Sequence, residues 1–277
     1  MIVLDKIHYV KSFPCPKSKK PCRVLKVKDL ERERPPVYVV EMDKSQRRRR
    51  GRTNEVRSVA ICMPCWAPKT VWRRPLYPGV HMSEQDITRV VKLGQLDIGP
   101  PVYAVDADAV YMQEYDGDLR DYLIWTHRKE DLGGREIAEE IMRLVEQVAL
   151  NDLVCTDMKP RNAVVLVDRK SGRVHKLRLI DFDSDFCFPI TKGASRRKAV
   201  WFVMTFHFFL HVRHLHITSA TKTRMQKHMR RVLADRVDDM DKDELGVVLR
   251  QHGQDFKHYF GQTYTVDHVR RMLSSGK

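Results

Sequence analysis

A run of about eighteen apolar residues, the minimum for a membrane-spanning helix, occurs nowhere in this chain. The first residues, MIVLDKIHYVKSF, lack the basic, then apolar, then small-residue order of a secretory signal. The expectation is an intracellular protein, cytoplasmic or nuclear, not secreted and without membrane contact. Cysteines are few: Cys15, Cys22, Cys62, Cys65, Cys155 and Cys187 are too sparse in 277 residues for a disulfide scaffold, so reduced thiols are expected. There is no internal repeat, and no low-complexity tract beyond one arginine run. Acidic residues are in deficit, 36 against 51 basic ones. The resulting charge of +15 favours phosphate-bearing or acidic partners without choosing among nucleotide, nucleic acid and protein.

What is present orders itself along the chain. IHYV, RVLKV, VYVV and VRSVAIC in the first 80 or so residues are β-branched or aromatic runs separated by polar, Pro-rich or basic breaks, the pattern of an antiparallel sheet. Gln46 to Glu55 has no apolar residue and predicts a solvated hairpin tip. Ser83 and Asp86 resemble a capping box, and Ile87, Val90 and Val91 share a helical face before Gly94 and Gly99-Pro100-Pro101 end it. VYAV and AVYMQEY return to β character. From about Asp118 the spacing predicts helices over 119–125 and 135–150, a hairpin from AVVLVD and KLRLIDF turning at Gly172, a very apolar helix over 199–215, and three amphipathic pieces around Met225, Leu245 and Val269.

The segment Cys155-Thr156-Asp157-Met158-Lys159-Pro160-Arg161-Asn162 lies between a helix and a strand and carries an Asp, a Lys and an Asn in one tight loop. Phosphoryl transfer needs a carboxylate to orient the attacking hydroxyl, a cation near the moving group and oxygen ligands for Mg²⁺. Leu179-Ile180-Asp181-Phe182-Asp183 places a second carboxylate at the end of an apolar strand, and the hairpin should set the two loops side by side.

Together these residues resemble the protein-kinase-like superfamily, the first loop its H-R-D-L-K-x-x-N and Asp181-Phe182-Asp183 its D-F-G. The resemblance implies an α+β, two-lobed fold: a small antiparallel β lobe over 1–112, a hinge over 113–118 and a larger helical lobe over 119–277. It implies ATP and Mg²⁺, with Asp157 as catalytic base, Lys159 at the γ-phosphate, and Asn162 and Asp181 as metal ligands. The run from Val110 to Leu119 is similar to a kinase hinge, which assigns Met112, Gln113, Glu114, Tyr115 and Asp118 to nucleotide binding. Glu84 resembles the helix glutamate that pairs with the phosphate-binding lysine; an acid in a first helical turn also gains from the helix dipole alone. A serine/threonine protein kinase acting on a protein substrate as a monomer is the expectation.

The departures are specific. Cys155 and Thr156 stand where His and Arg are usual, removing a structural hydrogen-bond hub and a receiver for a phosphorylated loop. Val59-Ala60-Ile61-Cys62 carries cysteine where V-A-I-K has lysine, leaving Lys26, Lys28 or Lys69 to supply the charge. No G-x-G-x-x-G precedes it, so the phosphate-covering loop would be another segment, such as the basic stretch from Ser12 to Lys20. No Ala-Pro-Glu follows Asp183, which shortens the docking platform. A pseudokinase, a choline- or aminoglycoside-type small-molecule kinase, and a basic nucleic-acid-binding protein using Arg47, Arg48, Arg49, Arg50 and Arg52 are the alternatives. Cys62 and Cys65 with Cys15 and Cys22 offer a poorly spaced zinc set. His207, His211 and His214 have metal-ligand spacing on an aromatic helix that reads more simply as core.

Overall fold

The structure, a computed structural model, describes residues 8–14, 21–26, 37–40, 49–50, 55–62, 69–75, 84–105 and 109–274. The chain is α+β and divides into two compact units, Met1–Glu114 and Tyr115–Lys277.

The first unit is built on β1 (His8–Pro14), β2 (Pro21–Lys26), β3 (Val37–Val40), β4 (Arg49–Arg50), β5 (Glu55–Cys62), β6 (Lys69–Pro75), the helix α1 (Glu84–Gln95), β7 (Val102–Val105) and β8 (Ala109–Gln113). The sheet runs β1-β2-β3-β5-β6-β8-β7, with β4 pairing only β5, and every pairing is antiparallel. The strand β6, sequence KTVWRRP, is an addition to the expected set. Its short Val-Trp centre is flanked by basic residues and proline, so no alternation marks it. Arg49 and Arg50 pair with Val56 and Glu55, which puts part of the arginine run in a strand; Arg47, Arg48 and Arg52 lie outside the described residues, as do Ser83, Lys28, Cys15 and Cys65.

The second unit opens with β9 (Gly117–Asp118) and α2 (Leu119–Trp125), then α3 (Gly134–Leu150), β10 (Leu153–Cys155), β11 (Ala163–Val167), β12 (Val174–Leu179), β13 (Cys187–Pro189) and the helices α4 (Ala194–Arg213), α5 (Ala220–Val237), α6 (Lys242–Gln251), α7 (Gly253–Phe260) and α8 (Val266–Ser274). Local chemistry sets the helix starts. Asp118, Ser219 and Asp241 are N-caps whose side chains accept backbone N–H bonds from Asp121, Lys222 and both Asp243 and Glu244. On α3, Ile137, Ile141, Leu144, Val145 and Val148 recur at helical spacing and all are buried.

At the centre is α4. Every residue from 199 to 210 is buried, including Phe202, Phe206, Phe208 and Phe209, so this helix has no solvent face along its middle. It packs against α3, α5 and α6. It begins at Ala194, ahead of the expected start at 199, because its first turn (ASRRK) is polar and largely exposed and joins no apolar pattern. The expected hairpin forms as β11–β12, turning through Gly172 at φ +70°, a backbone region that glycine enters without strain. With β9 it makes a three-stranded sheet, and β10 and β13 make a separate two-stranded one. Among the described residues no helix is long and apolar enough to cross a membrane.

Candidate active site

The Asp157 loop starts where β10 ends. Cys155 lies directly opposite Cys187 in the β10–β13 register, with Cα atoms 4.2 Å apart, and the two are joined by a disulfide. This corrects the expectation of reduced thiols. The Cys155 N–H donates to Met204 Sδ (3.2 Å) and the Cys187 N–H to Asp183 O (2.8 Å). The cysteines therefore form a non-hydrogen-bonded cross-strand pair, the position where antiparallel strands approach most closely. Nothing in the sequence foretells a pairing across a separation of 32 residues.

Beyond Cys155, Thr156 N–H donates to Phe186 O at 2.8 Å, and the chain then runs through an extended Lys159 into a single 3-10 turn, Pro160–Asn162. Proline suits the first position of that turn, where its missing donor costs nothing. Asn162 N–H donates to Lys159 O at 2.8 Å. The turn gathers the three predicted catalytic side chains: Lys159 Nζ donates to Asp157 Oδ2 at 2.5 Å, and Asn162 Nδ2 donates to Asp157 O at 2.9 Å and Oδ2 at 3.0 Å.

Asp157 is 5% exposed, so its carboxylate needs partners to offset lost hydration. One of them was not foreseen. Tyr259 Oη, from α7, donates to Asp157 Oδ1 at 2.8 Å and accepts from Lys159 Nζ at 3.2 Å. Burial works to lower the Lys159 pKa, but the hydrogen bond and charge of Asp157, aided by Tyr259, outweigh it and hold the ammonium above its usual range. Burial and the bond to Asp157 push the Tyr259 phenol up, so it stays a proton donor. One turn earlier on the same helix face, Asp255 is also pushed up, by burial first and by the Asp157 charge.

The helix α7 also rests on the histidines of α4. His211 meets Tyr259 edge-on at 4.8 Å between ring centres, and His207 lies 5.0 Å from Phe256. His214 stacks near Phe260 at 5.3 Å. These three histidines are part of an aromatic wall behind the loop. Among the described residues no group of three or more His, Cys, Asp or Glu converges as a metal site.

The second predicted loop adjoins the first through the backbone. Ala163 pairs with Leu179 in the β11–β12 register, and Ile180 N–H donates to Asn162 O at 2.8 Å, so Asp181 follows one residue after a direct bond to the Asp157 loop. Asp181 has φ 71°, a left-handed conformation uncommon for a residue with a side chain and concentrated at functional sites. Phe182 beside it is buried.

The remaining candidates are distributed. Glu84 is the first residue of α1; Met112 and Gln113 close β8, with Gln113 N–H donating to Pro101 O at 2.9 Å; Glu114 ends the first unit. Tyr115, buried, opens the second unit, and Asp118 caps α2 by accepting from Asp121 N–H at 2.8 Å. Cys62 ends β5 opposite Tyr38, while Lys69 begins β6 opposite Ile61, and Lys26 ends β2 opposite His8.

Asn162 Oδ1, free of donors among the described residues, and the Asp181 carboxylate are hard oxygens of the kind Mg²⁺ accepts. Two protein ligands fit an ion that keeps several waters and draws the rest of its shell from substrate phosphates. No protein-family model matches the chain, and no curated protein matches it in sequence.

Proposed function

We propose that the chain is an ATP-dependent phosphotransferase of the protein-kinase type, two-lobed, with a protein serine or threonine hydroxyl as acceptor. The observation that carries this reading is the single hydrogen-bonded cluster of Asp157, Lys159 and Asn162, with Asp181 held next to it by the Ile180–Asn162 backbone bond. The acceptor oxygen would bond to the γ-phosphorus as the bridging bond to the β-phosphate breaks, releasing ADP. In that reaction the Asp157 carboxylate accepts the hydrogen bond, and then the proton, of the attacking hydroxyl. The Lys159 ammonium, kept charged by its neighbours, lies beside the same carboxylate and offsets negative charge on the moving group. Asn162 and Asp181 would hold Mg²⁺, which when bound neutralises phosphate charge. Glu84, Met112, Gln113, Glu114, Tyr115 and Asp118 would serve the nucleotide.

A second reading rests on one feature. Cys62 occupies the strand position where the resembled pattern has its phosphate-binding lysine, which favours a pseudokinase that binds partners without turnover. The experiment that separates them is Mg²⁺-dependent ATP hydrolysis and transfer to generic basic and acidic proteins by the purified chain, beside Asp157→Asn and Asp181→Asn. A kinase loses roughly 10²–10⁴ of its rate in Asp157→Asn while staying folded. Nucleotide binding without turnover supports the pseudokinase; equal rates in all three proteins would sink the catalytic assignment.

A further inference from the structure

Away from the Asp157 cluster, α3, α5 and α8 border an open cavity of about 470 Å³ whose walls carry Arg135, Arg224, Lys227, His228, Arg230 and Arg231. None of these residues takes part in the site described above. We infer that this cavity binds a compact ligand bearing two or more clustered phosphate groups, of the inositol-polyphosphate class.

The charge balance argues for it. Five cations face one hollow; Glu139 pairs with Arg135 at 2.8 Å and lies 3.4 Å from His228, Asp131 pairs with Arg224 at 3.4 Å, and the charges of Glu136 and Glu139 also reach Arg135 and Arg231. Neither Lys227 nor Arg231 makes a direct carboxylate ion pair among the described residues, although the charge of Glu139 reaches Arg231. Five cations outnumber the carboxylates that reach them; the excess like charges repel one another, and a polyanion relieves that repulsion where water and salt only screen it.

The geometry is partly set in advance. Arg230 donates from Nε (3.1 Å) and Nη2 (2.8 Å) to Leu273 O, which ties its guanidinium to the end of α8 and leaves its remaining donors unused by that carbonyl. Arg231 Nη2 lies 3.4 Å from His228 Nδ1, a contact suited to a neutral imidazole, and burial holds His228 toward the neutral form. Guanidinium groups fixed by such contacts present planar forks that match phosphate oxygens two at a time. The volume is that of a small-ligand pocket. It is also too small to enclose a folded partner, which is why a compact polyanion is favoured over a nucleic acid.

The test is calorimetric titration of the full-length protein at near-physiological salt with inositol hexakisphosphate and with pyrophosphate, and flotation with phosphatidylcholine vesicles containing a phosphatidylinositol bisphosphate. The variant is Lys227→Gln/Arg231→Gln, both exposed, against a control of equal charge at the 168–172 turn, Arg169→Gln/Lys170→Gln. The inference expects saturable binding that weakens about tenfold or more in the pocket variant, as loss of hydrogen bonds to a charged ligand implies, and that is unchanged in the control. Binding of the soluble probe with that pattern identifies a free polyphosphate as the source; vesicle binding alone with the same pattern identifies a lipid headgroup, and either supports the inference. Equal weakening in both variants would show a diffuse effect of the +15 charge and overturn it. Failure of all three probes to bind would overturn it as well.

Discussion

Asp157 is the residue on which the site turns, and its environment says how it is held. Three donors reach one nearly buried carboxylate: Lys159 and Asn162 from its own loop, and Tyr259 from α7. The two loop residues come with the motif, whereas Tyr259 comes from a helix about a hundred residues later in the chain and fixes the carboxylate from the other side. Replacing Tyr259 by Phe keeps the ring on His211 and removes only the hydroxyl. A hydrogen bond to a charged group contributes about 1.5–3 kcal/mol. On the proposed phosphotransferase reading, turnover by Tyr259→Phe should therefore fall roughly tenfold to a hundredfold and the melting temperature by about a few degrees, as steady-state kinetics and a thermal melt would check. A rise in rate would mean instead that the phenol stands in the place of the acceptor hydroxyl and blocks it.

Elements decide how such residues meet. Gly134, the first residue of α3, packs so tightly on α5 that an added Cβ would sit 2.1 Å from Thr221 O and 2.9 Å from Met225 N. Both are backbone atoms of α5, on its buried face, and cannot yield locally. Leu132 N–H, just before, donates to Thr221 Oγ1 at 2.9 Å and locks the same approach. Gly134→Ala should thus force the two helices apart and destabilise the protein by about 2 kcal/mol or more, despite alanine's higher helix propensity; a denaturant midpoint equal to the parent's would contradict this. Close approaches of that kind are invisible to sequence reading, which sees a glycine and infers a boundary. The elements that were legible had strong local signals. The α3 stripe, the β11–β12 hairpin with its glycine turn, and the Asp157-to-Asn162 loop each repeat a pattern within a few residues. The helix α7 was missed because it has only eight residues, Gly253–Phe260, and one fully buried side chain, Phe256, too short for a periodicity to emerge. With it went Tyr259 and Asp255, whose spacing of four was the one available sign that they share a face. The disulfide was missed because β10 and β13 are three residues each, and their register is set by the core beneath them.

On the scale of the whole molecule, the histidines buried behind the site couple its stability to pH. Burial pushes His252 down to about 3 and His211 down to about 4, and holds His207 well below the ordinary value, with the charges of its neighbours adding to the effect. In the unfolded chain all three return to about 6.5. As pH falls below that value the unfolded state takes up protons that the folded state refuses, so stability is full above about 6.5 and declines as pH falls toward the folded values. For His252 and His211 the loss at pH 5 comes to roughly 2 kcal/mol each, a large part of an ordinary domain's stability. Asp255 acts in the opposite sense, since burial raises its pKa and a raised carboxyl pKa favours the folded state at low pH, but it is one group against three imidazoles. Acidification also adds positive charge to a chain that already carries +15, so self-repulsion runs in the same direction as the histidines. Urea midpoints should therefore drop steeply between pH 7 and pH 5, on the order of 4 kcal/mol for the two imidazoles together. His252→Phe, which fills the site with a ring that cannot take a proton, should make the slope shallower by one imidazole's share. A slope unchanged by that substitution would assign the pH dependence to net charge rather than to the buried wall on which α7 and the Asp157 loop rest.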